Sequence, residues 1–245
     1  MALHGYHDSH GHFPPWIPAT VWKAEQYHSI SWTARILAQI GEAHLAAATV
    51  EANRVAPYGI RNNPPHIGLA TVIKVYVCPA DSRLSAPVTD PNGFIVAMTD
   101  YIGAFGPRGS VVGDPRGRRM VDIRDGTSQT ILLGERPPPA TFQAGRWYTF
   151  ISFDLPGGVE RFYGPDAVLY VTGESLLLGD PCRQPLHFGP GVVGNPCDRH
   201  HFWSLHGGGS NFGMADGSVR WLTYGSHDLV VAMTSVAGGE VVNLD

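Results

Sequence analysis

The N-terminal segment is rich in histidine, a residue that binds zinc through its ring nitrogens. His4, His7 and His10 are three positions apart, with Asp8 and His12 beside them. On a helix, a spacing of three residues rotates each successive side chain by about 60°, so the three imidazoles diverge rather than meet at one ion. We therefore expect a polar helix end that faces water, and no metal site.

The three cysteines allow either a disulfide or a zinc site. Cys182 and Cys197 enclose 14 residues, whereas Cys78 stands apart. In an oxidising compartment, a bridge between Cys182 and Cys197 would stabilise the fold by about 3 kcal/mol. The alternative is a zinc site that these two cysteines form with His200 and His201. Two adjacent histidines and the lack of a C-x-x-C pair make zinc the weaker alternative, so the candidate disulfide is Cys182–Cys197.

A histidine followed by three glycines, 206–209, is similar to the loop whose amides form an oxyanion hole in some esterases. That chemistry requires a nucleophilic serine in a G-x-S-x-G turn, which the chain lacks. No glycine-rich phosphate loop follows a predicted strand and opens a helix, and no pair of carboxylates is marked out for acid–base work. The sequence therefore predicts no catalytic residue and no cofactor.

The elements that position these residues follow from the apolar periodicity. Helical spacing predicts one helix from Ser31, its N-cap, to about Ala48 and another from Ser226 to Val236, while Pro14 ends any earlier helix before it. The run from Leu69 to Cys78 is rich in β-branched residues and predicts a strand. Further strands are predicted at 127–133, 146–153 and 167–172.

The segment 211–222 predicts a β-hairpin. Asp216 and Gly217 suit a two-residue type I′ loop, which would pair Met214 with Val219 across the two strands. Because side chains alternate along a strand, that register places four apolar residues on one face: Phe212, Met214, Val219 and Trp221.

Composition bounds the class of protein. The 245 residues include 30 glycines and 20 prolines, and no internal repeat or low-complexity linker divides them. We therefore predict a single α+β domain over residues 1–245, with an antiparallel sheet, few helices and long glycine- and proline-rich loops.

Charge and hydropathy exclude two classes of partner. Seventeen basic and 21 acidic residues give a formal charge of −4 with no basic stripe, so nucleic acid is not an expected partner. No apolar run approaches 18 residues, and the first 15 residues lack the apolar core of a signal peptide. As written, the sequence predicts no membrane contact and carries no export signal.

Five blocks, in order along the chain, resemble the pseudopilin-like (prepilin-type) family of planctomycete-type bacteria. His206 and, after nine intervening residues, Asp216 and Gly217 match its C-terminal H-x(9)-D-G motif. The other four blocks are LHGYHDSHGHFPP (3–15), YVCPAD (76–81), RDGTSQTILLGER (124–136) and AMTSVAGGEVV (232–242).

This resemblance implies a non-enzymatic structural or assembly subunit similar to those of type II secretion systems or type IV pili. Members are exported and anchored by an N-terminal hydrophobic stem helix, which implies an extracytoplasmic α+β head of unknown function. Other pseudopilin-like subunits or the secretion machinery are the implied partners. His206, Asp216 and Gly217 transfer only as motif positions, without a catalytic or ligand-binding role.

One departure from the family is plain. The apolar stem and its cleavage site are missing, and residues 1–13 resemble the end of the stem helix. Such a chain is expected to be a monomer without the stem. A truncated chain and a natural variant without the stem both remain open.

Two other functions remain as alternatives. One is an extracellular module that binds carbohydrate or peptide through Trp147, Tyr148, Trp203 and the loop 179–210.

The other alternative is a metal-dependent enzyme that uses His200, His201, His206 and Asp216. We also expect the His206 imidazole to fold against the hairpin end at Asp216 and Gly217, or against a nearby backbone carbonyl, and to stabilise the glycine loop without performing chemistry.

Overall fold

The computed structural model describes residues 1–15, 30–56, 65–106, 110–112, 114, 117–148, 151–155, 159–163, 168–170, 182 and 186–239. The helices are α1 (Ala2–His10), α2 (Trp32–Arg35), α3 (Ala43–Val55) and α4 (His227–Met233). The strands are β1 (Val88–Thr89), β2 (Ile95–Val96), β3 (Tyr101–Phe105), β4 (Ile131–Glu135), β5 (Ile151–Leu155), β6 (Val159–Tyr163), β7 (Val168–Tyr170), β8 (Gly209–Met214) and β9 (Val219–Thr223). Short 3₁₀ helices span Ala38–Ile40, Ile67–Ala70, Lys74–Tyr76, Ser82–Leu84, Met120–Asp122, Thr127–Gln129 and Pro196–His200.

The central feature is a five-stranded sheet with the order β7-β3-β4-β8-β9. Its neighbours pair antiparallel except β3 and β7, which are parallel. Two antiparallel ribbons, β1-β2 and β5-β6, lie outside this sheet. The predicted α+β class is confirmed, and the parallel pair is the one addition to the expected antiparallel sheet.

The N-terminal helices begin and end partly where the sequence predicts. Helix α1 ends at Gly11, whose φ of 77° is the left-handed conformation that suits a glycine, so it stops before the prolines. Ser31 caps α2 as predicted, because its side chain accepts a hydrogen bond from the Ala34 amide. The predicted single helix is divided, since Gly41 has a φ of 89° and ends the first part. Helix α3 then continues past Ala48.

The strand predicted from Leu69 to Cys78 is wrong. This segment forms two 3₁₀ turns, and Leu69, Ile73 and Tyr76 are buried at spacings of four and three rather than alternately. Isolated hydrogen bonds replace a strand ladder, for example from the Ala97 amide to the Leu69 carbonyl at 2.6 Å. Tertiary burial has therefore overridden the β-propensity of the branched residues.

The remaining predicted elements occur with shifted ends. Residues 127–133 begin as a 3₁₀ turn and lead into β4, and the candidates at 146–153 and 167–172 correspond to β5 and β7. The predicted C-terminal helix is α4. Strands β1, β2, β3 and β6 were not predicted.

The β8-β9 hairpin exists, but its predicted register is wrong by one residue. Val219 pairs with Gly213 rather than with Met214. The Gly217 amide donates to the Met214 carbonyl at 2.9 Å, and Gly217 has a φ of 88° while Asp216 keeps a negative φ. A type I′ loop needs a positive φ at both central residues, so the chain instead forms a three-residue loop that ends at a left-handed glycine.

The one-residue shift changes which side chains face the core. Phe212 and Met214 are buried as predicted, but Val219 and Trp221 lie on the opposite face and are 68% and 44% exposed. A shift of one position moves a whole strand's side chains to the other side of the sheet. Leu222, which pairs with Ser210, is the β9 residue that joins the core in place of Trp221.

Two apolar clusters cover the central sheet. The neighbouring residues Ile131 and Leu132 of β4 enter different clusters, as alternation along a strand requires. The larger cluster contains residues of α1, α2 and the 3₁₀ turns, and the smaller contains Val230 and Met233 of α4. Among the described residues, no helix is long and apolar enough to cross a membrane.

Candidate functional site

Three side chains that can bind a metal or move a proton meet at one end of the central sheet. His206 Nε2 lies 3.4 Å from Cys78 Sγ and 3.6 Å from Glu135 Oε1. One donor atom from each residue lies within 4.8 Å of both others. Within the described ranges, these three are the His, Cys, Asp and Glu side chains that lie close enough together to hold a metal ion.

The sheet topology brings these three residues together. Glu135 is the last residue of β4 and pairs with Tyr101, the first residue of β3. The residue before β3, Asp100, accepts a hydrogen bond from the Cys78 amide at 2.6 Å. Strand β8 is antiparallel to β4 and begins just after His206. In an antiparallel sheet the end of one strand lies beside the start of each neighbour, which places all three residues at the same end of the sheet.

The Glu135 carboxylate is buried and held from one side. Its Oε2 accepts hydrogen bonds from the Ser210 hydroxyl and the Asn211 amide, both at 3.0 Å. The Asn211 side-chain amide also donates to Oε1 at 3.4 Å. These bonds compensate part of the cost of burying a carboxylate and leave Oε1 directed toward His206.

His206 is the accessible member of the group. Its backbone amide donates to the Ser204 hydroxyl at 3.1 Å, and that hydroxyl donates to the Gly209 carbonyl at 2.7 Å. The imidazole makes an edge contact with Trp221, with 6.3 Å between ring centroids. The His206 side chain is 37% exposed, so solvent reaches the group from this side.

The surroundings of Cys78 favour a neutral thiol. Burial raises the pKa of the Cys78 thiol, and the negative charges of Asp100 and Glu135 raise it further. Burial likewise raises the pKa of Asp100 to about 8, and the nearby Asp81 carboxylate adds to this shift. A reactive cysteine needs an electropositive, exposed setting that stabilises its thiolate, and this thiol has neither.

The geometry does not form a nucleophile–histidine–acid relay. In such a relay, one ring nitrogen contacts the nucleophile and the other contacts the orienting carboxylate. Here Cys78 Sγ and Glu135 Oε1 both approach the same nitrogen, Nε2 of His206. The three residues therefore surround one point in space instead of forming a chain along which a proton could pass.

The other two motif positions lie at the far end of the hairpin. Asp216 and Gly217 form the turn, where the Asp216 carboxylate accepts hydrogen bonds from the amide and hydroxyl of Ser218 at 2.8 and 2.6 Å. The six residues of β8 separate this turn from His206 by roughly 17 Å. The expected contact of His206 with the hairpin turn is therefore wrong. His4 lies there instead, with Nε2 2.9 Å from the Ala215 carbonyl.

The N-terminal histidines bind three separate backbone groups. Besides His4, the His7 ring accepts a hydrogen bond from the Met120 amide at 3.1 Å, and His10 Nδ1 lies 2.9 Å from the Tyr6 carbonyl. Their imidazoles diverge, as the spacing predicts. The end of α1 faces water as expected, since His10 is exposed, whereas His4 and His7 are half-buried because α1 packs against the body of the protein.

Cys182 and Cys197 are joined by a disulfide, with their Cα atoms 5.3 Å apart. Neither sulfur is then a zinc ligand, and His201 Nε2 lies 3.2 Å from an Asp198 carboxylate oxygen. The residues named for the metal-enzyme alternative do not form one group, because His201, His206 and Asp216 contact different partners in three separate places.

The aromatic residues expected in a carbohydrate or peptide site belong to the core. Trp147, Tyr148 and Trp203 are at most 2% exposed, so they offer no surface for stacking. The expected binding loop, 179–210, lies partly outside the described residues.

Sequence reasoning missed Cys78 and Glu135 as members of this group. Both lie inside blocks that carry the family resemblance, Cys78 in YVCPAD and Glu135 near the end of RDGTSQTILLGER. Three of the five blocks thus each contribute one member of the group. The sequence shows that a cysteine, a glutamate and a histidine are present in these blocks. It does not show that they are close together, because their proximity depends on strand pairing.

Comparison with known families and proteins adds one finding. A family described as "Protein of unknown function (DUF1559)" matches residues 1–150. Comparisons with curated proteins and with solved structures give no match. The matched range includes Cys78 and Glu135, and His206 lies beyond it.

Proposed function

Because the chain belongs to the DUF1559 family of proteins of unknown function, we propose a role from its geometry and from the pseudopilin resemblance. The role is that of a non-enzymatic, extracytoplasmic structural subunit, the head of a pilus-like or type II secretion-like assembly. Its partners are other pseudopilin-like subunits. The lack of a proton relay at the Cys78, Glu135 and His206 group supports the non-enzymatic part of this proposal.

The observation that carries the proposal is the attachment of α1 to the head. Leu3 and Tyr6 are buried in the larger core cluster, and His4 and His7 bond to backbone groups distant in sequence. Met1, the N-cap residue at the start of this helix, is 97% exposed. A stem that continued this helix would be held in a defined direction by the head, as an assembly subunit requires.

An apolar groove beside the first turn of α1 supports the same role. Trp32 and Ile36 form part of its floor, and the exposed side chains of Val75 and Val219 stand at its margin. Exposed apolar surface next to a helix is typical of a site that packs against another chain. We assign this groove to the stem of a neighbouring subunit.

The test is capture from the cell envelope of the bacterium that makes the protein. The tagged native gene product is cross-linked in cells, and its partners are identified by mass spectrometry. We expect prepilin-type subunits, and we expect Val75→Asp with Val219→Asp to reduce their capture at least about tenfold, because charge is costly in an apolar contact.

Val121→Asp is the matched control, since Val121 is 77% exposed and does not line the groove. It should leave capture unchanged, and all variants should keep the melting temperature of the wild type. The proposal is refuted if the native protein captures no such subunit, or if the double variant captures them as well as the control does.

A further inference from the structure

We propose that Cys78, Glu135 and His206 bind one Zn²⁺ ion, with the fourth coordination position open to solvent beside His206. This site is independent of the proposed assembly role. It rests on the positions of three donor atoms, on the groups that orient them and on the access to them.

Two of the three distances between the donor atoms match those of a zinc site. Zinc binds thiolate sulfur at about 2.3 Å and imidazole or carboxylate atoms at about 2.0–2.2 Å, so neighbouring donors in a tetrahedron are about 3.4–3.6 Å apart. The sulfur–nitrogen and nitrogen–oxygen distances are 3.4 and 3.6 Å. The sulfur and the carboxylate oxygen lie within 4.8 Å, and a shift of about 1 Å completes the set.

The chemistry of the donors selects the ion. One sulfur, one nitrogen and one oxygen ligand suit Zn²⁺, whereas Mg²⁺ and Ca²⁺ require oxygen ligands throughout. When the zinc–sulfur bond forms, the Cys78 thiol loses its proton to solvent and the bound species is the thiolate. Neutral His206 and ionised Glu135 bind through lone pairs without further bond breaking.

Groups behind the ligands already hold them in place. Ser210 and Asn211 bind the Glu135 oxygen that faces away from His206, and Asp100 binds the Cys78 backbone. Metal sites depend on such supporting hydrogen bonds to orient their ligands. Because Cys78 and Glu135 are 3% exposed, an ion enters from the side of His206.

The experiment measures zinc binding to the whole chain after removal of its tag and treatment with a chelator. Calorimetric titration with ZnCl₂ is expected to show one ion per chain. Titration with Co²⁺ should give the sulfur-to-cobalt charge-transfer band and the intense visible bands of a tetrahedral site with a thiolate ligand.

Conservative variants identify the ligands. Cys78→Ser, Glu135→Gln and His206→Gln should each weaken zinc binding more than about 100-fold, and Cys78→Ser should also abolish the charge-transfer band. Ser210→Ala removes only a supporting hydrogen bond and should weaken binding about 10-fold. His66→Gln, a buried histidine outside the group, is the matched control and should leave the affinity unchanged.

Folding is checked by circular dichroism of each metal-free variant, so that loss of binding is measured on folded protein. Failure of the folded wild type to bind stoichiometric Zn²⁺ would overturn the proposal. It would equally be overturned by tight binding that survives all three ligand variants, for example through the N-terminal histidines His4, His7 and His10.

Discussion

At the scale of single residues, His66 links burial to pH dependence. Its ring is buried between α3 and the core, with Nε2 2.8 Å from the Ala56 carbonyl and Nδ1 3.0 Å from the Tyr148 hydroxyl. Because a carbonyl only accepts, Nε2 carries the hydrogen and Nδ1 accepts from the tyrosine, so the neutral ring satisfies both contacts. Burial lowers the pKa of His66.

This lowered pKa predicts a loss of stability in weak acid. The unfolded chain binds the His66 proton near pH 6.5, while the folded protein binds it only at lower pH. The free energy of unfolding should therefore fall as the pH drops from about 7 through the lowered pKa. Urea unfolding of the wild type and of His66→Gln, at several pH values between about 5 and 7, measures this contribution.

Glutamine is a suitable replacement, since its amide can donate to Ala56 and accept from Tyr148 without titrating. We expect a shallower pH dependence in His66→Gln than in the wild type. Parallel curves for the two proteins would show that His66 does not contribute to the pH dependence.

At the scale of elements, the β8-β9 hairpin shows how one turn determines a register. Gly217 adopts a φ of 88°, and a Cβ at this position would lie 3.2 Å from His4 Cε1. The turn thus requires a left-handed residue and also packs against α1. A two-residue loop would have placed Trp221 in the core, whereas the three-residue loop places Leu222 there.

Gly217→Ala should lower the free energy of unfolding by about 1–2 kcal/mol, the cost of a left-handed conformation for a residue with a Cβ. Chemical unfolding monitored by fluorescence measures the change. Gly207→Ala is the control, because its Cβ would have no neighbour within 4 Å and its φ is ordinary. Equal effects of the two substitutions would contradict the assigned turn.

A buried ion pair joins two other segments. The Arg146 guanidinium donates to the Asp90 carboxylate, and both side chains are at most 1% exposed. Asp90 also accepts hydrogen bonds from the amides of Asn92 and Phe94, which form the turn between β1 and β2. The pair therefore connects the β1-β2 ribbon to the segment that precedes β5.

Arg146→Met should destabilise the fold by about 3–5 kcal/mol, because it leaves the Asp90 charge buried and uncompensated. Arg146→Met combined with Asp90→Asn should be less destabilising than Arg146→Met alone, as measured by urea unfolding. Arg54→Met serves as a contrast, since the Arg54–Glu51 pair is exposed and its loss should have little effect. A small effect of Arg146→Met would refute the role assigned to the pair.

At the scale of the whole molecule, the disulfide closes a loop between positions that are 15 residues apart. Such a bridge stabilises a protein mainly by restricting its unfolded chain, by about 3 kcal/mol for a loop of this length. The smaller core cluster includes Phe188 and Phe202, which flank or lie within the loop and pack on Phe212 of the sheet. The bridge therefore supports one face of the central sheet.

Reduction should lower the free energy of unfolding by about 3 kcal/mol. The measurement is urea unfolding with and without a reductant, on the wild type and on a variant that carries Cys182→Ser and Cys197→Ser. The reductant should shift the wild-type midpoint and leave the variant unchanged. An equal shift in both proteins would show that the reductant does not act through this disulfide.

Local chemistry in the sequence determined much of the element pattern. Ser31 predicts a helix start, the prolines after residue 13 limit α1, and Asp216 with Gly217 predict a hairpin. These features depend on neighbours in the chain, since caps and turns are formed by hydrogen bonds and φ angles within a few residues. The α+β class follows from these features together with the apolar periodicity and the glycine and proline content.

The tertiary structure alone decided the site. The three residues Cys78, Glu135 and His206 are 57 or more positions apart in the sequence. Only the strand order β3-β4-β8 places their side chains at the same end of the sheet. It also decided the hairpin register and turned the β-branched run at Leu69 into buried 3₁₀ turns. Long-range pairing and burial set these features, because each depends on partners that no local pattern specifies.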